Sequence, residues 1–267
     1  MTRCVRLGVL GWPVAHSRSP AMQNAALRAV GLTDWRYQRL PVPPEVLPET
    51  VAALPPAGFR GANVTIPHKE AALALADHAS ERARRIGAAN TLVFHADGGV
   101  HADNTDAPAL IEALPIAPAG RTALVLGAGG SARAAVWALL DAGAAEVRVW
   151  NRTRERAERL CAEIGGTAVG GAEGADLLVH CTSSGLTAPE ATFDQLPIVA
   201  DDLSRFQCVV DFVYGARSTA LVRAARARSI AVVDGLELLV GQGALSFTLF
   251  TGLQAPVDVM RAALDAD

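Results

Sequence analysis

The order of apolar and polar positions predicts a chain in which short strands and helices alternate. Apolar runs rich in β-branched residues predict the strands, and longer runs rich in alanine and leucine predict the helices. Such alternation is typical of α/β proteins with mostly parallel sheets. We expect strands at residues 5–10, 35–40, 91–93, 122–126, 146–150, 175–181, 208–213 and 230–233, and helices at 21–30, 107–114, 133–142, 221–227 and 235–250.

Residues 63–69 are predicted to form a strand that turns directly into a helix. Asn63 and Thr65 alternate with two apolar β-branched residues, so their polar side chains share one face. Pro67 has a φ suited to a first helical turn, and the helix after it is expected to end near residue 78.

Lys69 falls within the first turn of this predicted helix, where the positive end of the helix dipole disfavours a cation. Two interpretations stay open from these residues alone. Either the lysine has a chemical role that holds it there, or it is a solvated surface residue, since the dipole penalty is under roughly 1 kcal/mol.

Composition favours a small-molecule ligand. The chain has 267 residues, 51% hydrophobic and 19% charged, with a formal net charge of -3. This length suffices for one large domain or two small ones, and two prolines and a glycine at residues 115–120 predict a domain joint. The mild acidic balance offers no broad field for nucleic acid or an anionic membrane, so neither is expected as a partner.

The cysteines and the apolar segments favour a reduced cytoplasmic protein. Cys4, Cys161, Cys181 and Cys208 lie far apart without a CxxC pair, so neither a metal site nor a disulfide framework is indicated. We expect these thiols to be buried. The N-terminal residues form a short strand-like run rather than a signal peptide, and no apolar run reaches the roughly 20 residues of a membrane span.

The loop before the first predicted helix is a candidate anion site. Ser17 and Ser19 place two hydroxyl groups just before a helix start, where anions bind readily. Together with His16 and Arg18 in the same loop they predict a carboxylate site. Either serine taken alone is better explained as an N-cap of the helix.

A glycine-rich turn between the strand at 122–126 and the helix at 133–142 predicts a dinucleotide site. Its GxGxxA pattern has the required strand before it and helix after it. Glycine lets the backbone approach a pyrophosphate, and the helix N-terminus favours the negative charge. The alternative is a tight turn that binds nothing. The residues of the turn are Gly127, Ala128, Gly129, Gly130, Ser131 and Ala132.

The residues after the next strand predict NADP rather than NAD. A cofactor with a free ribose 2′-hydroxyl is usually met there by Asp or Glu. This chain instead has Asn151, Arg152 and Thr153, with Arg154 and Arg156 close behind, and arginine suits a 2′-phosphate. The alternative is a solvated basic helix start.

Further polar residues follow the later strands. Thr182 and Ser183 begin a polar loop at the C-terminal end of a strand, where the ligands of open α/β sheets bind. Asp211 and Tyr214 lie near the end of the next strand. Gln242 is a polar side chain in an apolar helix, and it either bonds locally or points into a cleft.

Taken together, these stretches resemble the shikimate dehydrogenase family over nearly the whole chain. The matching motifs, in the family's order, are Ser17-Arg18-Ser19-Pro20-Ala21-Met22, residues 63–69, Asn90-Thr91, Asn104-Thr105-Asp106, the glycine-rich turn, Asn151-Arg152-Thr153, Gly235-Leu236 and Gln242.

The resemblance implies a two-domain α/β fold and a reaction. Residues 1–102 would form a substrate-binding domain with a mostly parallel sheet, rejoined by C-terminal helices at 237–267, and residues 103–236 would form a Rossmann domain for NADP(H). The implied reaction is the reversible, NADP-dependent conversion of shikimate to 3-dehydroshikimate in aromatic amino-acid biosynthesis. The implied assembly is a cytoplasmic monomer or homodimer.

The resemblance also implies a role for each motif. By analogy, Lys69 and Asp106 form the catalytic pair at the reacting hydroxyl, and whether Lys69 relays the proton or stabilises an alkoxide stays open. Ser17 and Ser19 would hold the ring carboxylate, which Tyr214 would also reach. The ring hydroxyls or the catalytic groups would be held by Asn63, Thr65, Asn90 and Gln242. Cofactor contacts fall on the six residues of the glycine-rich turn and on Asn151, Arg152, Thr153, Arg156, Thr182, Ser183 and Gly235.

The chain departs from the family pattern without touching the catalytic pair. Gln23 stands where many members have His, His180-Cys181 where Asn-Ala is common, Leu238 where a methionine often lies, and Ala216-Arg217 where a proline is usual. Two rivals stay open: a relative that acts on quinate or an aminated ring, and a non-catalytic ligand sensor. Ser19, where quinate users favour threonine, leans toward shikimate.

Overall fold

The computed structural model describes residues 4–265, which fold into two compact units. The first unit contains the chain up to Thr105 and the chain from Leu239 onward, and the second contains Asp106–Leu238. Residues 115–120, whose two prolines and glycine predict a domain joint, lie inside the second unit. They do so because Leu110, Leu114 and Ile116 pack into the core of that unit.

Strands and helices follow one another along most of the chain. The strands are β1 (Val5–Gly11), β2 (Trp35–Pro41), β3 (Phe59–Val64), β4 (His78–Ala79), β5 (Thr91–Phe94), β6 (Val100–Asp103), β7 (Thr122–Leu126), β8 (Glu146–Trp150), β9 (Thr167–Ala168), β10 (Leu177–His180), β11 (Cys208–Asp211) and β12 (Ala231–Val233). The α-helices are α1 (Ser19–Ala29), α2 (Leu47–Ala53), α3 (Lys69–Ala74), α4 (Glu81–Ile86), α5 (Asp106–Ala113), α6 (Gly130–Asp141), α7 (Arg154–Ile164), α8 (Ala220–Ala227), α9 (Gly235–Thr251) and α10 (Val257–Asp265). Short 3₁₀ helices lie at Pro44–Val46, Pro189–Gln195 and Ala200–Arg205.

The first unit is built on a mixed sheet with strand order β2-β1-β3-β5-β6-β4. β1 runs parallel to β2 and β3, whereas β5 is antiparallel to β3 and β6. Parallel neighbours end at the same edge of a sheet. The loop after β1, which carries Ser17, and the turn after β3, which carries Lys69, therefore leave the sheet at one edge. A hydrogen bond of 3.0 Å from the backbone N–H of Trp12 to the carbonyl of Ile66 joins them.

The second unit is built on a parallel sheet with strand order β12-β11-β10-β7-β8-β9. Alternate side chains of each strand point to opposite faces, so Ala123 and Val125 enter one core while Leu124 and Leu126 enter the other. The chain reverses its direction of winding at β7, which pairs with β8 on one side and β10 on the other. Ligands of open α/β sheets bind beyond the carboxyl ends of the strands at such a point. The predicted α/β class is confirmed.

The structure corrects three predicted boundaries around the motifs. Helix α1 begins at Ser19, so this serine lies in the first turn rather than before the helix. Helix α3 ends at Ala74 rather than near residue 78, because His78 and the next residue pair with β6 as strand β4. Pro67 precedes the helix, whose N-cap is His68. Among residues 4–265, no helix combines the length and apolar character needed to cross a membrane.

Gly61 in β3 lies against α9, and its replacement tests how tightly the sheet of the first unit packs against that helix. A Cβ atom added at Gly61 would lie 2.4 Å from a ring carbon of Phe250, which is 1% exposed, and 2.8 Å from the carbonyl oxygen of Leu92. The ring and the backbone cannot both move away, so Gly61→Ala is expected to lower the free energy of unfolding by about 1 to 3 kcal/mol. Chemical denaturation followed by circular dichroism measures the change.

The matched control is Gly171→Ala, because a Cβ atom at Gly171 meets no atom within 4 Å. This variant is expected to stay within about 0.5 kcal/mol of the parent chain. Equal unfolding midpoints for the two variants would contradict the described packing.

Candidate functional site

The loop between β1 and α1 holds both predicted serines in buried positions. Ser17 and Ser19 are 2% and 6% exposed. The backbone N–H of Ser17 donates to the carbonyl of Val14 at 3.0 Å, and Nε of Arg39 on β2 donates to the carbonyl of Ser17 at 2.9 Å. The Ser17 hydroxyl accepts only a long bond of 3.4 Å from the N–H of Ser19. The loop is thus fixed through its backbone, and neither hydroxyl proton is used by the bonds described.

Arg39 adds a positive charge at this loop that was not foreseen from the sequence. Arg18, the predicted cation, donates to the carbonyl of Leu264 in the last turn of α10. Partial burial and the charge of Arg39 lower the pKa of His16 below its usual value, which keeps His16 neutral at neutral pH. Only the sheet register, in which Arg39 lies beside Val9 of β1, brings Arg39 near the loop.

A buried hydrogen-bonded network joins β3, β5 and the turn after β6. Asn63 accepts the hydroxyl of Tyr37 at 2.8 Å and donates to the carbonyl of Asn90 and the hydroxyl of Thr91, both at 3.2 Å. Asn90 donates to the hydroxyl of Thr105 at 3.0 Å and accepts the backbone N–H of Thr105 at 2.8 Å. The predicted residues Asn63 and Asn90 are brought together. Tyr37 was not predicted, since nothing in a strand pattern shows which neighbour its hydroxyl meets.

Lys69 begins helix α3 and is 9% exposed, so it is not a solvated surface lysine. It is the only lysine of the sequence. Its carbonyl accepts the N–H of Ala89 at 2.8 Å, and the ring of His68 lies 2.7 Å from the carbonyl of Val42, for which only a ring N–H can be the donor. These bonds hold the turn on both sides of the lysine. Of the two interpretations left open by the sequence, a role that holds Lys69 in place agrees with its burial.

Asp106 begins helix α5 and is 6% exposed. A carboxylate suits this position, because the N–H groups of a first helical turn favour negative charge. The turn before it is held by Asp103, whose two oxygens each accept Nη2 of Arg82 at 2.9 Å and whose Oδ1 accepts the N–H of Asn104 at 2.7 Å. Asp106 therefore follows a rigid turn.

Three further predicted substrate residues differ in how they are held. Thr65 follows the last residue of β3, and its backbone N–H donates to the carbonyl of Leu10 at 2.8 Å. Gln242 donates from Nε2 to the carbonyl of Leu239 at 2.8 Å, which is the local bond of the first interpretation. Tyr214 lies beyond β11 beside Gly235, where an added Cβ atom would be 3.0 Å from the Cβ of Tyr214.

The glycine-rich turn has the geometry of a phosphate cradle. Gly127 has φ of 120°, and an added Cβ atom would lie 3.1 Å from the backbone of Cys181 and 3.2 Å from the nitrogen of Thr182, so only glycine fits. Gly129 is the N-cap of α6, and an added Cβ atom there would meet no atom within 4 Å. The N-terminus of a twelve-residue helix thus faces open space, next to a turn that approaches β10 closely.

The segment after β8 carries the predicted residues for a 2′-phosphate. Asn151 donates to the carbonyl of Thr153 at 2.8 Å, which closes the turn before α7. Arg152 and Arg156 are exposed, whereas Arg154 pairs with a glutamate of its own helix, Glu158, at 2.8 Å. Among the residues that the structure describes, Arg152 and Arg156 form no ion pair, and Arg152 donates to the side-chain oxygen of Gln195 at 3.4 Å. No Asp or Glu stands at the end of β8.

The loop after β10 is hydrogen-bonded to His180, a residue that departs from the family pattern. Thr182 is half-buried and Ser183 exposed, and the hydroxyl of Thr182 lies 2.6 Å from Nε2 of His180. The opposite ring nitrogen of His180 lies 2.8 Å from Asp211. This pair was missed because His180 and Asp211 meet only through the register of β10 and β11.

Two of the four cysteines, Cys161 and Cys208, are disfavoured as thiolates by burial. Burial raises the pKa of Cys208 to about 11 and also raises that of Cys161. The prediction of buried thiols is right for Cys208 and wrong for Cys4, which is exposed. The structure holds Cys161 and Cys181 partly exposed.

Three family models match successive parts of the chain. The model described as "Shikimate dehydrogenase substrate binding domain" matches residues 9–92, "Shikimate / quinate 5-dehydrogenase" matches residues 113–186, and "Shikimate 5'-dehydrogenase C-terminal domain" matches residues 235–264. All three belong to one family and follow its order.

Relatives and solved structures agree with these matches. The chain is 45% identical to "Shikimate dehydrogenase (NADP(+))" of Paracoccus denitrificans over 96% of this chain and 95% of the relative. A shikimate 5-dehydrogenase of Thermus thermophilus, solved in complex with NADP(H) and shikimate, has a TM-score of 0.87 at 43% identity, over 98% of this chain and 99% of that one. The ligand-free 5-ketofructose reductase of a Gluconobacter strain has a TM-score of 0.85 at 30% identity, over 100% of this chain and 99% of that one.

The motifs, the two α/β units, the relatives and the solved structures lead to one conclusion: this chain belongs to the shikimate dehydrogenase family.

Proposed function

We propose that this chain is an NADP-dependent shikimate dehydrogenase, which reversibly reduces 3-dehydroshikimate to shikimate in aromatic amino-acid biosynthesis. The observation that carries the proposal is the burial of Lys69, the only lysine of the chain, at a rigid turn beside the polar network of Asn63 and Asn90. Two relatives agree with the proposal. One is named an NADP-dependent shikimate dehydrogenase, and the other was solved in complex with NADP(H) and shikimate.

The reaction requires a proton and a hydride to leave one secondary alcohol. NADP, when bound, accepts the hydride. We assign Lys69 and Asp106 to the alcohol, where the ammonium or amine of Lys69 moves the proton or stabilises the alkoxide and the carboxylate orients that lysine. Burial of both side chains supports the assignment, because a charge acts more strongly where water is excluded.

The substrate carboxylate is assigned to the loop between β1 and α1. Ser17 and Ser19 supply two hydroxyl donors, and Tyr214 is retained as a third. Arg39 is added to this set, since its guanidinium lies at the loop and attracts an anion. Asn63, Thr65, Asn90 and Gln242 are assigned to the ring hydroxyls or to the support of Lys69 and Asp106.

The residues of the second unit fit a dinucleotide. The pyrophosphate is assigned to the turn at Gly127–Gly130, whose open space and helix N-terminus suit an anion. The 2′-phosphate is assigned to Asn151, Arg152, Thr153 and Arg156, because exposed arginines that form no ion pair within the described residues favour it over a ribose hydroxyl. Ala128, Ser131, Ala132, Thr182, Ser183 and Gly235 complete the proposed contacts.

The remaining expectations are proposals of the same kind. We assign substrate binding to residues 1–102 with 237–267 and NADP binding to residues 103–236, supported by the compact units that divide at Thr105 and Leu239. We further propose a cytoplasmic monomer or homodimer that needs neither nucleic acid nor a membrane. Equilibrium sedimentation of the purified chain decides between monomer and dimer.

A quinate or aminoshikimate dehydrogenase is the second candidate function. The family model that matches residues 113–186 is described for both shikimate and quinate, and this description supports the second candidate. A non-catalytic sensor is disfavoured, because a buried lysine is costly without a chemical use.

The first test compares substrates and cofactors in one assay. Purified protein is expected to reduce NADP with shikimate, with weaker reduction of NAD because NAD lacks the 2′-phosphate. Weaker use of quinate is also expected, because Ser19 stands where quinate users favour threonine. The absorbance of the reduced nicotinamide measures all four combinations. Equal or better use of quinate would overturn the substrate assignment. If no combination reduces the cofactor, the assignment of the chain as a dehydrogenase is wrong.

Replacement of the lysine tests its assigned role. Lys69→Ala is expected to lower turnover by about 10²- to 10⁴-fold while shikimate binding is largely kept, because the proton has no relay in the variant. Steady-state kinetics and a titration of shikimate measure the two effects. Glu70→Ala, at the next position of α3, is the control and is expected to retain activity.

Lys69→Arg separates the two roles left open for the lysine. An arginine keeps a positive charge but does not release its proton, so recovery of most of the turnover would assign electrostatic stabilisation to Lys69. We expect no such recovery. Unchanged turnover in Lys69→Ala would remove the lysine from the mechanism.

Replacement of Arg152 tests how the chain selects its cofactor. Arg152→Ala is expected to weaken NADPH binding about tenfold and to leave NADH binding unchanged, since only the former carries the 2′-phosphate. Fluorescence titration with each cofactor measures the two dissociation constants. Arg159→Ala, an exposed arginine further along α7, is the matched control. Equal losses for both cofactors would show that Arg152 does not contact the phosphate.

A further inference from the structure

A buried chain of polar side chains lies at the carboxyl ends of β10 and β11. His180 and Asp211 are the last residues of these strands, and both are 0% exposed. Nδ1 of His180 lies 2.8 Å from Oδ1 of Asp211, and Nε2 lies 2.6 Å from the hydroxyl oxygen of Thr182. The proposed reaction assigns no step to this histidine. Two fully buried polar groups bonded to a half-buried hydroxyl nevertheless call for a definite distribution of protons.

The partners of Asp211 decide which nitrogen of the histidine carries a hydrogen. Oδ1 also accepts the backbone N–H of Val213 at 2.9 Å, and Oδ2 accepts the hydroxyl of Thr219 at 2.5 Å. The Thr219 hydroxyl in turn accepts the N–H of Val222 at 3.2 Å, so its own proton goes to Asp211. Both oxygens of Asp211 therefore act as acceptors. The His180 nitrogen that faces Asp211 must be the donor.

For a ring that carries a single hydrogen, the direction of the next hydrogen bond follows. In a neutral imidazole with its hydrogen on Nδ1, Nε2 is a bare acceptor. The hydroxyl of Thr182 then donates its only proton to Nε2, over the short distance of 2.6 Å. One lone pair of the same oxygen accepts the N–H of Ser184 at 3.1 Å. What the hydroxyl of Thr182 can still offer a ligand is its second lone pair.

Thr182 lies beside the glycine-rich turn, which is assigned above to the pyrophosphate. Its backbone nitrogen is 3.2 Å from the position of a Cβ atom added at Gly127, so the loop and the turn are in close contact. Ser184, which follows in the loop, is itself held by a bond of 2.7 Å to the carbonyl of Thr192. The loop is thus fixed beside the turn assigned to the pyrophosphate.

We propose that His180 is a positioning residue, which turns the hydroxyl proton of Thr182 inward so that this threonine meets the cofactor as a hydrogen-bond acceptor. The inference rests on the proposed binding of NADP(H) in this unit. It names the chemical class of the cofactor group at the hydroxyl of Thr182, which must be a donor such as a ribose hydroxyl or the carboxamide N–H. A phosphate, which only accepts, is excluded from this contact.

A double-mutant cycle separates this role from a purely structural one. Thr182→Val removes the hydroxyl and keeps the shape, whereas His180→Asn keeps an amide that can donate to Asp211 but cannot also reach Thr182. We expect the dissociation constant of NADPH to rise about tenfold in Thr182→Val and about threefold in His180→Asn. In the double variant we expect the tenfold loss of Thr182→Val alone, because His180 acts only through that hydroxyl.

Fluorescence titration with NADPH measures each dissociation constant. Losses that multiply in the double variant would overturn the proposal, as would unchanged binding in Thr182→Val. Thr182→Ser, which restores the hydroxyl, is expected to recover binding. Circular dichroism and thermal unfolding of each variant identify any that do not fold. If the parent chain itself does not bind NADPH, the proposed function fails, and that result is distinct from an additive cycle.

A spectroscopic measurement tests the proton distribution without any cofactor. Nitrogen NMR of the ¹⁵N-labelled chain separates protonated from bare imidazole nitrogens, and comparison with His180→Asn identifies the signals of His180 among those of the six histidines. We expect one signal of a protonated Nδ1 and one of a bare Nε2. A hydrogen on Nε2, alone or together with Nδ1, would overturn the proposal whatever the cofactor does.

Discussion

A polar group that is removed from water must find its hydrogen bonds inside the protein, and this constraint organises the first unit. Asn63 and Asn90 are 6% and 1% exposed, and their amides bond to neighbouring strands and to the turn at Thr105. Loss of one partner would leave a buried group unsatisfied, at a cost of about 1–3 kcal/mol. The strand ends are therefore held in register by the same side chains that line them. Lys69 and Asp106 each follow directly on a segment fixed in this way.

The second unit depends on a different constraint, the close approach of two backbones. Gly127 lies so near to Cys181 and Thr182 that no side chain fits between them. Because β7 and β10 are parallel neighbours, the turn after one strand meets the loop after the other at a single edge of the sheet. Backbone N–H groups, rather than charged side chains, are then available to an anion at this edge. The arginines after β8, which we propose for the 2′-phosphate, add charge beyond the end of the neighbouring strand.

Local patterns predicted most of the fold and the motifs, whereas contacts between distant segments were beyond them. The GxGxxA turn and the burial-prone strands follow from short-range rules, and the structure confirms the α/β class. The end of α3 was wrong because His78 prefers to pair with a strand that lies later in the chain. Arg39, Tyr37 and the pair of His180 with Asp211 were missed for the same reason. Each acquires its partner through sheet register, which a single sequence does not contain.

The composition of the chain bears on the role that the structure leaves open for Lys69. The sequence has 24 lysines and arginines together, and Lys69 is the only lysine. All the remaining residues of this count are arginines. Arginine supplies positive charge and more hydrogen-bond donors than lysine, and it is the better partner for a fixed anion. What arginine cannot do is release a proton, since its pKa lies above about 12 in proteins. If Lys69 acts at the substrate alcohol as proposed, a lysine buried at the start of α3, in a chain whose other such cations are all arginine, favours proton transfer over simple electrostatic stabilisation.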